Sequence, residues 1–212
     1  MLEEAKAYLK TREKVNLAMA VINIIVFVVM EIMGSTESSR FMLDHGAAYT
    51  PLILQGEYWR LFTSMFLHFG ATHLAMNMIC LITIGDMLER MAGHWKYLLI
   101  YLGSGLAGNL LSVAVEEFSG DYALSAGASG AIFGVIGAVF VVILKNRDRF
   151  RQDYIRRYAI MIALMIMEGF VVSGIDNNAH IGGVVAGAVL SFILCRGKIG
   201  RDLRLHRDGG WH

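Results

Sequence analysis

The sequence contains little cysteine, little proline and little charge. Its 212 residues include two Cys and one Pro, and Asp, Glu, Lys and Arg together make up 17% of them. Cys80 and Cys195 both lie in apolar runs, so the chain has neither a disulfide framework nor the spacing of a cysteine metal site. The 19 basic residues are balanced by 18 acidic ones, without the basic excess typical of nucleic-acid-binding proteins. We therefore expect no nucleic acid among its partners.

Apolar residues are abundant instead. They make up 56% of the chain before its 23 Gly are counted, whereas an average soluble chain is about 45–50% apolar with Gly included. This hydrophobicity excludes a disordered protein, and a single proline leaves long helices uninterrupted. The composition predicts an all-α, polytopic membrane protein.

A helix needs about 20 mostly apolar residues to cross a bilayer, and six segments of the sequence approach this length. The predicted spans are approximately 15–33, 72–88, 97–115, 128–144, 158–172 and 180–195. They divide the chain into an N-terminal segment 1–14, a six-helix domain 15–196 and a basic tail 197–212. The long connection 34–71 is rich in aromatic and aliphatic residues, so we expect it to be folded and partly lipid-facing.

The positive charges are strongly segregated in this topology. All Lys and Arg residues except Arg40 and Arg60 fall on one side of the six spans. By the positive-inside rule this side is cytoplasmic. We therefore predict that both termini are cytoplasmic, and that segments 1–14 and 197–212 lie on that side.

Three polar clusters lie near the external ends of the second, fourth and sixth spans. Polar groups are expensive inside a bilayer, so each cluster is a functional candidate. The clusters are His68, His73 and Asn77 in HFGATHLAMNM, Gly127 and Ser129 in GASGAIFG, and His180, Gly183 and Gly187 in NNAHIGGVVAGA.

The spacing of these residues favours a pairing of Ser129 with His180. Gly183 and Gly187 follow His180 by three and seven residues and share its helical face. Glycines four apart allow two helices to touch backbone to backbone, which would bring His180 to Ser129. Ser129 would then be a nucleophile and His180 its general base. The sequence near His180 offers no carboxylate except Asp176, so it predicts a Ser–His dyad that needs no metal or other cofactor.

Formation of an oxyanion in this reaction requires hydrogen-bond donors that are already in place. His73 and Asn77 are four residues apart and share a helical face, so both are candidates together with the Ser129 N–H.

Each cluster also has a simpler structural interpretation. Gly130 and Gly134 form an ordinary small-xxx-small packing pattern, in which Ser129 is just a small interface residue. His68 and His73 can instead hydrogen-bond between helices and hold the loop. A metal bound by these two histidines is disfavoured, because they lack i,i+4 spacing and a carboxylate partner.

The ordered set of motifs resembles the rhomboid intramembrane serine proteases. The matching residues are Trp59-Arg60, His68-x4-His73-x3-Asn77, Gly127-Ala128-Ser129-Gly130 and His180-x2-Gly183-x3-Gly187. The resemblance implies a six-helix bundle with a water-filled cavity open to the outside. It also implies that Ser129 and His180 form the catalytic dyad and that a single-pass substrate enters between the second and fifth spans.

The resemblance implies roles for the remaining residues as well. His73, Asn77 and Gly127 would contribute to the oxyanion or substrate site. Phe133 occupies the position of a family aromatic residue that packs on the catalytic histidine. The supporting residues would be His68, Trp59, Arg60, Gly183 and Gly187.

The expected function is an intramembrane serine endopeptidase that acts on transmembrane proteins, with the lipid bilayer as its second partner. By resemblance, the minimal six-span form suggests a bacterial plasma membrane. The alternative is an inactive rhomboid-like protein that binds or chaperones membrane proteins; such relatives lack the serine or the histidine. A transporter predicts inverted repeats, and the sequence shows none. The natural substrate, the oligomeric state and the role of Glu168 stay open.

Overall fold

The computed structural model describes residues 13–150, 152–171 and 174–195. The predicted tail 197–212 lies outside the described residues. So do most of the segment 1–14 and the side chain of Glu168.

Apart from one isolated bridge, the regular elements of this part of the chain are all helices, which confirms the all-α class. In chain order the helices are α1 (Lys14–Met33), α2 (Ser39–Asp44), α3 (Thr50–Leu54), α4 (Arg60–Thr63), α5 (Gly70–Ala92), α6 (His94–Ser119), α7 (Ser129–Lys145), α8 (Gln152–Val171) and α9 (Asn177–Leu194). Ala48 and Ser125 form an isolated antiparallel β-bridge.

Each of the six predicted spans overlaps one long helix and extends beyond it by at most one residue at either end, although the predicted starts at 158 and 180 lie six and three residues inside α8 and α9. By length and composition, α1, α5, α6 and α9 can cross a membrane. Helix α7 is apolar but has 17 residues, and α8 begins with the polar sequence QDYIRRY. Four membrane-crossing helices are thus supported, and the six-span count stays a prediction.

The helices differ in how much of their surface is covered. Most residues of α7 are buried, as expected for a helix that is apolar on every side. Helix α1 lies at the edge, and most of its exposed residues are large and apolar, including Val21, Ile24, Ile25, Val28, Val29 and Ile32. Such a surface matches the hydrocarbon of a bilayer, in which backbone groups must bond within the helix.

Helices α7 and α9 approach each other through glycine. A Cβ atom added to Gly183 would collide with the carbonyl oxygen of Gly130, and one on Gly187 would collide with that of Gly134. The small-xxx-small faces therefore meet as the spacing predicts. This contact places the first turn of α9 beside the first turn of α7.

The bundle has two distinct ends. The site end contains Gly70 of α5, Ser129 of α7 and Asn177 of α9, whereas the far end contains Lys14 of α1 and His94 of α6.

Carboxylates of α5 hold the N-terminus of α1 at the far end. Asp86 accepts a hydrogen bond from the backbone N–H of Glu13 at 2.8 Å. Glu89 accepts bonds from the N–H groups of Val15 at 3.0 Å and Asn16 at 2.6 Å. These bonds satisfy N–H groups that have no partner within their own helix.

Two more contacts complete the far end. The Tyr97 hydroxyl donates to the side-chain oxygen of Asn16 at 2.6 Å, beside Gly85 in a π-helical stretch of α5 (Leu81–Gly85). His94 Nδ1 bonds Glu89. Glu13, Glu89 and His94 each offer an oxygen or ring nitrogen within 4.8 Å of the others, the spacing that a metal site needs. The Glu89 oxygens, however, already accept the N–H groups of α1.

Candidate active site

Ser129 and His180 form a hydrogen-bonded pair at the site end. Ser129 is the first residue of α7, and His180 is the fourth residue of α9. The distance from His180 Nε2 to Ser129 Oγ is 2.8 Å. His180 is buried with 7% exposure, whereas Ser129 is half-buried. The hydroxyl is thus both polarised and accessible, which is the arrangement of a serine nucleophile and its base.

Phe133 covers one face of the His180 ring. The two rings are stacked with their centroids 4.0 Å apart and their planes at 12°. The stack restricts rotation of the imidazole and excludes water from that face. Phe133 occupies the position that the resemblance assigns to the packing aromatic residue.

The second ring nitrogen of His180 differs from Nε2 in its hydrogen bonding. Its Nδ1 atom is buried, and no described residue forms a hydrogen bond to it. Asp176, the nearby carboxylate in the sequence, instead accepts from the backbone N–H of Ala179 at 2.9 Å. Among the described residues, the hydrogen bond of the His180 ring is therefore the one between Nε2 and Ser129 Oγ. Along this bond a proton can pass between the hydroxyl and the imidazole without a carboxylate partner.

His73 lies beside Gly127, close to Ser129. A Cβ atom on Gly127 would lie 2.9 Å from His73 Cε1 and 3.6 Å from Ser129 Oγ. Gly127 also has φ +147°, a backbone conformation that favours glycine. The missing side chain lets the His73 ring pack against the backbone of Gly127, beside the Ser129 hydroxyl.

Asn77 lies one turn further along α5. Its Nδ2 atom donates to the backbone carbonyl of His73 at 3.0 Å. An amide nitrogen carries two N–H groups, and no described residue accepts from the second. The structure thus places His73 next to the serine, while Asn77 is partly engaged within its own helix.

His68 connects the first loop to the start of α7. Its Nε2 atom accepts from the backbone N–H of Ala128 at 3.4 Å, and its ring meets that of His73 edge-on, with centroids 5.3 Å apart. Burial lowers the pKa of His68 to about 3, with a further decrease from the charge of His73. His68 is therefore neutral at physiological pH, and its geometry fits the structural interpretation of this histidine.

Arg60 and Trp59 stabilise the first loop and do not contact the dyad. The buried guanidinium of Arg60 donates to the carbonyl oxygens of Leu43 at 2.7 Å and Ala47 at 3.0 Å. It also bonds Glu57 at 2.7 Å and lies 4.7 Å from the centre of the Trp59 ring. These contacts fold the segment that the sequence predicted to be structured.

Sequence reasoning did not single out several residues that hold the loops around the site. Asn109 of α6 donates to the Leu61 carbonyl at 2.7 Å. The carboxylate of buried Glu116 accepts a hydrogen bond from the Thr50 hydroxyl at 2.6 Å and one from the backbone N–H of Ala123 at 3.4 Å. A signal was available, because Asn109 is a polar residue inside a predicted span.

The family profile described as Rhomboid domain matches residues 55–197. The rhomboid protease GluP of Bacillus subtilis (strain 168) is 40% identical over 166 residues, which cover 78% of this chain and 32% of GluP. The rhomboid protease AarA of Providencia stuartii is 35% identical over 199 residues, which cover 83% of this chain and 70% of AarA. RHOMBOID-like protein 5 of Arabidopsis thaliana is 37% identical over 151 residues, or 70% of this chain and 48% of that protein. The chain thus spans about a third of GluP and about half of the plant relative.

Proposed function

Since the chain belongs to the rhomboid family, we propose that it is a serine endopeptidase that cleaves membrane proteins within the bilayer. Its apolar helices and its relatives support a membrane protein with protease activity. The observation that carries the proposal is the 2.8 Å hydrogen bond between Ser129 Oγ and His180 Nε2. This bond joins two helices that glycine contacts hold close together.

The proposed reaction begins with transfer of the Ser129 proton to His180 Nε2 as Oγ attacks the peptide carbonyl. The Ser129 N–H and the side chains of His73 and Asn77 stabilise the resulting oxyanion. His180 then protonates the amine, which departs. The acyl group stays bound to Ser129 Oγ as an ester. A water molecule, deprotonated by His180, hydrolyses this ester and restores the Ser129 hydroxyl.

Hydrolysis needs water, and the position of Ser129 and His180 at one end of the bundle supports access to it. Ser129 and His180 lie in the first turns of their helices, at the site end of the bundle. We propose that this end faces the outside of a bacterial plasma membrane and that both termini are cytoplasmic, in agreement with the segregation of basic residues. We also propose six membrane spans, with substrate entry between α5 and α8.

A substrate helix must unwind to expose its scissile carbonyl, because helical carbonyls are hydrogen-bonded. We therefore propose that the enzyme prefers transmembrane segments with small or helix-breaking residues at the cleavage site.

The test combines covalent labelling with proteolysis. The full chain in detergent is treated with a fluorophosphonate probe and, separately, with a single-pass transmembrane reporter. We expect Ser129→Ala and His180→Ala to abolish labelling and to reduce cleavage by at least about 10³-fold. Ser125 lies in the loop just before α7. Ser125→Ala is the matched control and should retain both activities.

Labelling that persists in Ser129→Ala would show that another residue is the nucleophile. A folded wild-type protein that neither reacts with the probe nor cleaves the reporter, yet binds it, would identify the inactive binding class instead.

A further inference from the structure

Asp176 joins the start of α9 to α6, and we propose that it thereby positions His180 for reaction with Ser129. This proposal rests on the function proposed above. The Asp176 carboxylate accepts from the backbone N–H of Ala179 at 2.9 Å, and its backbone carbonyl accepts from the N–H of His180 at 3.1 Å. One residue therefore fixes two consecutive N–H groups, including that of the proposed base.

Ser112 provides the connection to α6. Its hydroxyl lies 2.8 Å from each carboxylate oxygen of Asp176. Gly108, one turn earlier on the same face of α6, approaches α9 closely, since a Cβ atom there would lie 2.5 Å from the Ala179 carbonyl oxygen. The first turn of α9 is thus seated on α6 by a close backbone contact and by the Asp176–Ser112 hydrogen bond.

This attachment matters because His180 lies in the first turn of its helix. Terminal turns fray, since their N–H groups have no partners within the helix. The glycine contacts of Gly183 and Gly187 hold α9 further along its axis. A displacement of about 1 Å at a reacting group can cost roughly 100-fold in rate. The cap keeps His180 Nε2 at hydrogen-bonding distance from Ser129.

The role is one of position and not of charge. Asp176 lies four residues before His180 on the same helical face, so its negative charge offers a competing explanation. Asparagine is neutral but caps helices as well as aspartate does. Asp176→Asn therefore separates the two effects.

The experiment measures the rate of fluorophosphonate labelling of Ser129 in the full chain, normalised to the folded fraction. We expect Asp176→Ala to slow labelling by about 10- to 100-fold and Ser112→Ala by about 3- to 10-fold. Asp176→Asn should stay within about 3-fold of wild type. With the transmembrane reporter, Asp176→Ala should lower kcat and leave KM unchanged.

Two substitutions serve as matched controls. Ser38→Ala removes another side-chain cap, the bond from the Phe41 N–H at 3.3 Å. Ser191→Ala removes a serine bond from α9 to α7, to the Ala138 carbonyl at 3.1 Å. Both should label at the wild-type rate once corrected for folding.

The outcomes separate the two proposals. Equal labelling of wild type and Asp176→Ala overturns the role of Asp176, as does equally slow labelling of Asp176→Asn and Asp176→Ala, or a change confined to KM. If Asp176→Ala does not fold, Ser112→Ala takes its place in the test. Labelling of Ser112→Ala at the wild-type rate then overturns the role of Asp176, and so does slow labelling of Asp176→Asn. A wild-type protein that reacts with no probe overturns the proposed function, and with it the role of Asp176.

Discussion

Histidine side chains lie at both ends of the bundle, but they differ in exposure and bonding, since His94 at the far end is exposed and His180 at the site end is buried. At the far end, Glu89 accepts two backbone N–H groups of α1 and bonds His94. At the site end, His180 bonds a serine hydroxyl through Nε2, and no described residue bonds its Nδ1. One histidine thus helps to complete a helix terminus with a carboxylate, whereas the other bonds a serine hydroxyl.

The two ends also differ in what holds them. The far end depends on side chains that bridge α1, α5 and α6. At the site end, α7 and α9 meet through glycine backbones, and their first turns carry the hydrogen-bonded Ser129 and His180. We expect the far end to determine stability and the proposed reaction to depend on the site end, and substitutions at each end should separate these effects.

The largest expected effect on stability lies at the far end. Glu89→Ala leaves the N–H groups of Val15 and Asn16 without their acceptor and should lower the free energy of unfolding by about 3 kcal/mol. The labelling rate of the folded fraction should stay within about 3-fold of wild type. Unfolding in mixed micelles and probe kinetics measure the two quantities.

Glu117→Ala is the control for this comparison, because Glu117 is exposed and bonds Tyr122 at the surface. A Glu89→Ala protein of normal stability, or one with a folded fraction that does not react, would contradict the separation of the two ends.

The second effect is expected at the glycine contact. A methyl group on Gly187 collides with the Gly134 carbonyl oxygen, so Gly187→Ala should push α9 away from α7. We expect a loss of about 2 kcal/mol and a labelling rate at least about 10-fold lower. Both stability and chemistry should change, unlike in Glu89→Ala.

Gly103→Ala is the matched helical control. Its added Cβ atom would meet the end of the flexible Leu190 side chain at 3.0 Å, which can move aside. Labelling of Gly187→Ala at the wild-type rate would show that the glycine contact does not set the Ser129–His180 distance.

The smallest expected effect concerns pH. Burial lowers the pKa of His68 from 6.5 to about 3, so the unfolded chain binds a proton below pH 6.5 that the folded protein does not bind. Stability should therefore fall as pH decreases from 6.5 towards 3, by about 1 kcal/mol over the first unit.

His68→Gln removes this titration and retains an acceptor for the Ala128 N–H. Its unfolding free energy should depend less on pH than that of wild type between pH 6.5 and 5.5. Identical pH profiles would mean that His68 is protonated in the folded protein.

Much of the fold could be predicted from the sequence, because a long apolar segment in a bilayer must satisfy its own backbone. The predicted starts at residues 97 and 180 are three residues late, since the first turns of α6 and α9 contain polar residues that hydropathy does not detect. The signal for α9 was the capping residue Asp176 before the apolar run.

The pairing of Ser129 with His180 was predictable from glycine spacing, since Gly183 and Gly187 mark the face of α9 that approaches α7. The bonds of Arg60 to the carbonyls of Leu43 and Ala47 were not. They join a side chain to backbone groups of an irregular loop, and no sequence period identifies such partners. The contact of Asn16 with Gly85 likewise depends on how two distant helices pack.

The hydrogen bonds at the start of α1 have a consequence for biosynthesis. The N–H groups of Glu13, Val15 and Asn16 bond to residues 73 or 74 positions later in the chain. At about 5–20 residues per second, a ribosome needs roughly 4–15 s to make that length. Throughout this interval the first turn of the nascent α1 lacks the carboxylates of Asp86 and Glu89. Its early residence in the membrane therefore depends on its apolar side chains, and the helix is fastened only when α5 arrives.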